Sequence, residues 1–221
     1  MPAVLFGSIN TLTDISELQR DAFTRAIRQH GLDWQWDDAE YRASLTSRGG
    51  AQRITAYAHQ RAQQVDADAV YRTETELVRQ RLAGKLQPRP GVVETIAAAK
   101  DEGIKLGLVT TASQDTVAAV LAALSPHVRA DDFDVVVDGS AVHEDKPDRA
   151  AYERALQVLE EEPVQCVAIE DNVGGVLSAH SAAIACVAFP NENTAGHNFE
   201  HADRRVQRLD LAELVQLIGA E

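Results

Sequence analysis

The sequence predicts an α/β protein, a layered core around a parallel β-sheet of five or more strands, with a helical insertion near its start. Three observations carry this expectation. Short apolar runs at residues 3–8, 105–110, 133–138, 165–170 and 185–189 have the length and continuity of strands buried on both faces. Each run feeds a helical segment or a loop, the alternation expected of a parallel sheet covered by helices. Residues 15–86 are instead helical in pattern throughout, with Leu18, Phe23, Ile27, Ile54, Tyr57, Leu77 and Leu82 recurring at helical spacing.

In chain order, the first run leads into the turn Gly7-Ser8-Ile9-Asn10-Thr11-Leu12-Thr13-Asp14. The insertion follows, and Trp34 and Trp36 within it read as packing residues or as a ligand platform. The chain returns near residues 86–90, where Pro88 and Pro90 stiffen a hinge. The expected division is a core of residues 1–14 and 87–221 and a helical cap of residues 15–86. The second strand ends at Thr110, before a polar turn and a helix from about Gln114. Lys146-Pro147 precedes another helix. The strand at 165–170 ends in Glu170-Asp171, followed by a helix with Gly174 and Gly175 near its start. The run at 185–189 closes on Phe189-Pro190, and residues 191–204 are the most loop-like stretch. Ligands of such sheets bind beyond the carboxyl ends of the strands. Gly7, Thr110 and Asp171 all fall at such ends, so a pocket is expected there.

Composition narrows the classes. With 221 residues, 45% of them hydrophobic, the chain can build a core and a small second unit. A net charge of −13 argues against nucleic acid as a partner, because phosphate backbones need Lys and Arg. It does not exclude an anionic small molecule, since a local pocket decides that. The first apolar run is short and has no basic leader, and no segment approaches 18 apolar residues. The expectation is therefore a cytoplasmic protein with neither signal peptide nor membrane span. Cys166 and Cys186 fall on buried runs and read as small core residues, with a disulfide or a reactive thiol as the alternative. His197 and His201 stand four apart with no third metal ligand evident.

The strand and turn from Val4 to Asp14 resemble the opening motif of haloacid dehalogenase-like (HAD) phosphatases, an apolar strand followed by D-x-D-G-T-L-x-D. Thr110 after its strand, Lys146-Pro147, and Glu170-Asp171 before a Gly-containing helix resemble the later motifs, in the family's order. Within the insertion, Glu17 to Phe23, Gly31 to Trp36, Tyr41 and Gly49-Gly50-Ala51-Gln52-Arg53 are similar to the CbbY-type branch, relatives of beta-phosphoglucomutase that act on sugar phosphates and bisphosphates. The resemblance implies a HAD-like Rossmannoid three-layer core with a helical cap. It implies phosphate binding at Thr110, Thr111 and Lys146, substrate contacts at Gly50 and Arg53, and metal ligation at Asp171 and Glu170. The family's glycine stands where this chain has Asn10, which implies a backbone of positive φ that asparagine tolerates.

Two positions depart from the pattern. Gly7 stands where the resemblance places the nucleophilic aspartate, and Ile9 where it places the general acid/base. Glycine has no side chain to attack phosphorus, and isoleucine cannot move a proton. The lost carboxylate at Gly7 is also the implied main metal ligand, and phosphoryl transfer relies on metal to neutralise developing charge. In the insertion, Gln19 replaces a histidine, and Ala51-Gln52 replace Lys-Glu. Lys146 is then free to pair with Glu170 or Asp171, as a structural ion pair or as a retained anion site. Thr110 either holds an anion or simply ends its strand and caps the next helix, and Arg53 either reads ligand or lies on the cap surface.

Three readings follow. The first is a non-catalytic HAD-like protein, a pseudoenzyme with no resident cofactor, that binds a small phosphorylated metabolite or a protein partner. The second is a HAD hydrolase of weak or altered activity that uses Mg²⁺ and draws on Asp14, Glu170 or Asp171. The third is an interaction module whose pocket is filled by Ile9. No protein partner is identifiable from the residues.

Overall fold

The computed structural model describes residues 1–45, 50–82 and 84–219. Among them are six strands: β1 (Ala3–Phe6), β2 (Lys105–Val109), β3 (Val135–Val137), β4 (Cys166–Glu170), β5 (Ala185–Ala188) and β6 (Arg204–Arg205). They form one parallel sheet in the order β3-β2-β1-β4-β5-β6. Ten α-helices accompany them. The first five are α1 (Ile9–Leu12), α2 (Ser16–Gln29), α3 (Asp38–Ser44), α4 (Gly50–Gln60) and α5 (Ala67–Arg81). The others are α6 (Val92–Asp101), α7 (Gln114–Leu124), α8 (Ala150–Leu159), α9 (Val173–Ser181) and α10 (Leu211–Val215).

Strand periodicity explains the layers, because successive side chains leave opposite faces of a sheet. Val4 and Phe6 pack with Leu106, Leu108, Val167 and Ile169 against α6, α7 and α10. Ala3 and Leu5 pack with Val109, Cys166 and Ala168 against α8 and α9. A third apolar cluster lies wholly within α2 to α5 and their loops, around Phe23, Ile27, Trp34, Ile54 and Val70. Trp36 stacks on Phe23 with ring centroids 4.6 Å apart, so both tryptophans are packing residues. Both cysteines are buried free thiols.

Three expectations need correction. Asn10 does not have positive φ; it sits inside α1, whose start is capped by Ser8 Oγ accepting from Asn10 N at 3.1 Å. Its side chain instead accepts from Ile15 N at 3.1 Å and donates to Gln19 Oε1 at 2.9 Å, tying the first turn to α2. The strand expected at 133–138 is only Val135–Val137; just before it Asp134 donates its N–H to Leu106 O at 2.8 Å and accepts from Leu106 N through its carboxylate at 2.7 Å. The loop-like stretch 191–204 ends in a strand, β6, anchored where Asp203 Oδ2 accepts from Cys186 N at 2.7 Å. No helix among the described residues is long and apolar enough to cross a membrane.

Candidate binding cleft at the strand ends

The register brings the carboxyl ends of β1, β2 and β4 level, with Phe6 beside both Leu108 and Ile169. Gly7, Thr110 and Glu170 therefore emerge together. A cavity of about 180 Å³ opens there. Its floor includes Ile9, Thr110, Lys146 and Asp171, and Tyr41, Arg53 and Tyr71 reach it from the inserted helices.

Lys146 is committed to the protein interior. Its Nζ donates to Gly7 O, to Val109 O at 2.9 Å and to Glu170 Oε1 at 2.6 Å. An ammonium has three protons, so none is left for a ligand. The partner resolved here is Glu170, not Asp171. That carboxylate is fully buried, and Oε1 also accepts from the Tyr152 hydroxyl at 2.8 Å, while Oε2 has no partner among the described residues. Burial pushes the Glu170 carboxyl up, and Lys146 pulls it back. Room for this carboxylate comes from two glycines. A Cβ on Gly7 would overlap Glu170 Oε1 and the Tyr152 hydroxyl, and a Cβ on Gly175 would overlap the Glu170 carboxylate.

Asp171 is held by neutral donors. It accepts from Ser8 Oγ at 2.7 Å, Asn172 Nδ2 at 3.0 Å and Asn191 Nδ2 at 3.0 Å, while its carbonyl accepts from Thr194 Oγ1 at 2.6 Å. Asp14 is turned to α2, where it accepts from Ser16 N and Ser16 Oγ at 2.9 and 2.6 Å. These donors do not suit Mg²⁺, which prefers a full octahedron of oxygens. Both Asp171 oxygens already face N–H or O–H donors, Glu170 is turned to Lys146, and no cluster of three potential ligands exists among the described residues. His197 is likewise engaged elsewhere, its Nε2 lying 2.9 Å from Arg42 O.

Thr110 follows β2 directly, and its Oγ1 accepts from Ala112 N at 3.1 Å; the cap of α7 is Ser113, which accepts from Thr116 N. Thr111 also borders the cavity. Arg53 lines the cavity and is not a plain surface residue. Its guanidinium lies 5.4 Å from the Phe23 ring centroid and 5.8 Å from that of Tyr41, and its Nε has no hydrogen-bond partner among the described residues. Gly50 opens α4 with the Tyr71 ring against it, and Gly49 lies outside the described residues.

Several residues that hold the site are not apparent from sequence. Tyr152 completes the Lys146–Glu170 pair. Arg89 donates to Asn10 O, Phe189 O and Pro190 O at 2.9, 2.7 and 2.6 Å, clamping the first turn to the exit of β5. Asn193 joins core to insertion, accepting from Arg42 Nε and donating to Glu17 Oε1, both at 3.2 Å. The N-x-N-T run just beyond β5, at a strand carboxyl end, is the available signal for Asn191 and Thr194.

Glu74 of α5 is 7% exposed, and the Thr75 hydroxyl lies 3.5 Å from its Oε2. Burial pushes its carboxyl up to about 7, with Arg53 opposing. A folded value raised above the unfolded one gives stability that is complete below the unfolded value and lost as pH rises through about 7. Glu74→Gln is therefore expected to be nearly neutral at pH 5. At pH 8 it is expected to stabilise by about 2–3 kcal/mol, read as urea midpoints of the two chains at both pH values. Equal differences at the two pH values would refute this.

Residues 1–183 match the profile of haloacid dehalogenase-like hydrolases. The chain belongs to that family. The CbbY protein of Cereibacter sphaeroides is 37% identical over 224 residues, a span covering 99% of this chain and 96% of that protein. The crystal structure of CbbY from Rhodobacter sphaeroides in complex with phosphate superposes with a TM-score of 0.86 at 34% identity, covering all of both chains. A mutant of that protein in complex with xylulose-(1,5)bisphosphate superposes with a TM-score of 0.85 at 33% identity, again over the full length of both. The CbbY-like HAD fold accounts for the sheet order, the insertion after β1 and the position of the cleft.

Proposed function

We infer that this chain is a CbbY-like protein that holds a small phosphorylated metabolite in its cleft and does not hydrolyse it by the aspartyl route. The observation that carries this reading is the filled end of β1. Gly7 offers no carboxylate, and Glu170 and Tyr152 occupy the space where a side chain would begin. The remaining carboxylates are engaged, Asp14 by Ser16, Glu170 by Lys146 and Asp171, which borders the cavity, by Ser8 and Asn191. Lys146 offsets Glu170 without a metal, and Asp171 is held by neutral donors.

Residues 15–86 serve as the cap and residues 1–14 and 87–221 as the core. Phosphate and xylulose-(1,5)bisphosphate, ligands of the similar CbbY structures, are the reference chemistry. With Lys146 consumed, the anion is received by Arg53, by the Thr110 and Thr111 hydroxyls, and by the N-terminal end of α7, where free N–H groups favour negative charge.

The test pairs a binding measurement with a turnover assay. Millimolar inorganic phosphate and micromolar xylulose-(1,5)bisphosphate are expected to raise the melting temperature. With Mg²⁺ present, neither xylulose-(1,5)bisphosphate nor p-nitrophenyl phosphate is expected to release phosphate. Metal-dependent release abolished by Asp171→Ala would overturn the reading.

A further inference from the structure

We propose that Gln19 is a specificity-determining residue of the cleft: its amide is held so that N–H donors face the ligand, and it reads an oxygen acceptor in the part of the ligand between core and cap. This rests on the reading that the cleft holds a phosphorylated metabolite and adds which group of that metabolite is tested.

One backbone group fixes the direction of two amides. Ile15 N–H can only donate, so the Asn10 side-chain atom 3.1 Å from it is the acceptor Oδ1. Asn10 Nδ2 therefore faces Gln19 at 2.9 Å, and a donor there requires the acceptor of Gln19, Oε1. Reversing the Gln19 amide would set two N–H groups against each other. Its NH₂ is thereby turned away from Asn10 and has no hydrogen-bond partner among the described residues. Asn10 is itself immobilised, since its N–H donates to Ser8 Oγ at 3.1 Å and its carbonyl accepts from Arg89 Nη1 at 2.9 Å.

The position suits this role. Gln19 is half-buried on α2 and lines the cavity together with Asn10 and Ser16. Phe23, one turn further along the same helix face, has its ring centroid 5.4 Å from the Arg53 guanidinium. Thr110 and Thr111 line the cavity from the core. A ligand that reaches from the strand ends to Arg53 passes Gln19, whereas a single phosphate ion does not span that distance. A neutral N–H pair favours an acceptor without a proton of its own, a carbonyl or phosphoryl oxygen. It opposes an ammonium or amide N–H at the same place, which would be left unpaired. Neither amide titrates, so the preference does not change with pH.

Calorimetric titration of the full chain with xylulose-(1,5)bisphosphate and with inorganic phosphate tests this. Gln19→Leu is expected to weaken the bisphosphate about threefold to tenfold and to leave inorganic phosphate unchanged. Gln19→Glu keeps the side-chain length and the acceptor for Asn10 but puts an acceptor where the donor was. It is expected to weaken the bisphosphate further than Gln19→Leu does, by more than about tenfold. Inorganic phosphate, titrated on the same variant, reports the loss due to the added charge alone. Asn10→Asp keeps Gln19 but turns its amide round, and is expected to give the same selective loss. A residue that merely packs against Asn10 would give the opposite order, with Gln19→Glu tolerated better than Gln19→Leu. If Gln19→Glu fails to fold, Gln19→Leu and Asn10→Asp still decide. Bisphosphate binding that is unchanged in these variants, or weakened no more than inorganic phosphate, would overturn the assignment and leave the binding reading intact. A parent chain that binds neither probe would overturn both.

Discussion

Lys146→Met is expected to lower stability by about 3–5 kcal/mol, the cost of leaving a buried charge without its partner. Glu170 is fully buried, Lys146 is 9% exposed, and their contact is 2.6 Å. The same ammonium also satisfies the carbonyls of Gly7 and Val109, so its removal frees two buried acceptors at the ends of β1 and β2. The loss has a pH signature. Without Lys146 nothing offsets the burial that already raises the Glu170 carboxyl, so the folded state demands a proton there. A raised folded value means stability retained at low pH and lost as pH rises past the unfolded carboxylate range. The variant is thus expected to lie closer to the parent at pH 5 than at pH 8, measured by urea unfolding at both. Adding Glu170→Gln is expected to recover much of the loss at pH 8. A single variant that unfolds at the parent's urea midpoint would show that the pair is not a buried charge pair of this kind.

Gly7→Asp/Ile9→Asp, which places two aspartates in the first turn, is expected to yield an unstable and inactive protein. The first atom of the new side chain at Gly7 overlaps Glu170 Oε1 and the Tyr152 hydroxyl, both in the buried layer. Its carboxylate would also stand beside the Glu170 carboxylate with one lysine for two charges. Overpacking and like-charge burial together are expected to cost on the order of 3 kcal/mol or more, roughly 10 °C in melting temperature for a chain of this size. Adding Tyr152→Phe removes one overlapping atom and frees Glu170 to turn away. This triple variant is the form in which stability, and Mg²⁺-dependent hydrolysis of p-nitrophenyl phosphate, are expected to reappear. A double variant as stable as the parent and active would show that Glu170 and Tyr152 vacate the space readily. It would also weaken the argument that the end of β1 is closed.

Much of the site was legible because its parts are local. The strand ends at Phe6, Val109 and Glu170 follow from apolar runs, and parallel pairing puts their carboxyl ends on one edge, where a cleft was expected and lies. That Gly7 and Ile9 carry no carboxylate is visible in the residues themselves. The partner of Lys146 was not legible, because Glu170 and Asp171 are adjacent in sequence and only their opposite sheet faces separate them. Asn10 shows the same limit. Tolerance of positive φ does not impose it: Ser8 caps a short helix, and the Asn10 side chain is used for contacts to Ile15 and Gln19.

The sequence by itself determined the layered α/β architecture, the helical insertion and the absence of an aspartate at the end of β1, since periodicity, apolar runs and residue identity are properties of neighbours along the chain. Only the tertiary structure decided how the vacated space is used. Tyr152 and Glu170 fill it, Ser8 and Asn191 occupy Asp171, and Glu74 is buried on α5. Charge partners inside a protein are chosen by distance and burial across elements far apart in sequence, and no local pattern carries that information.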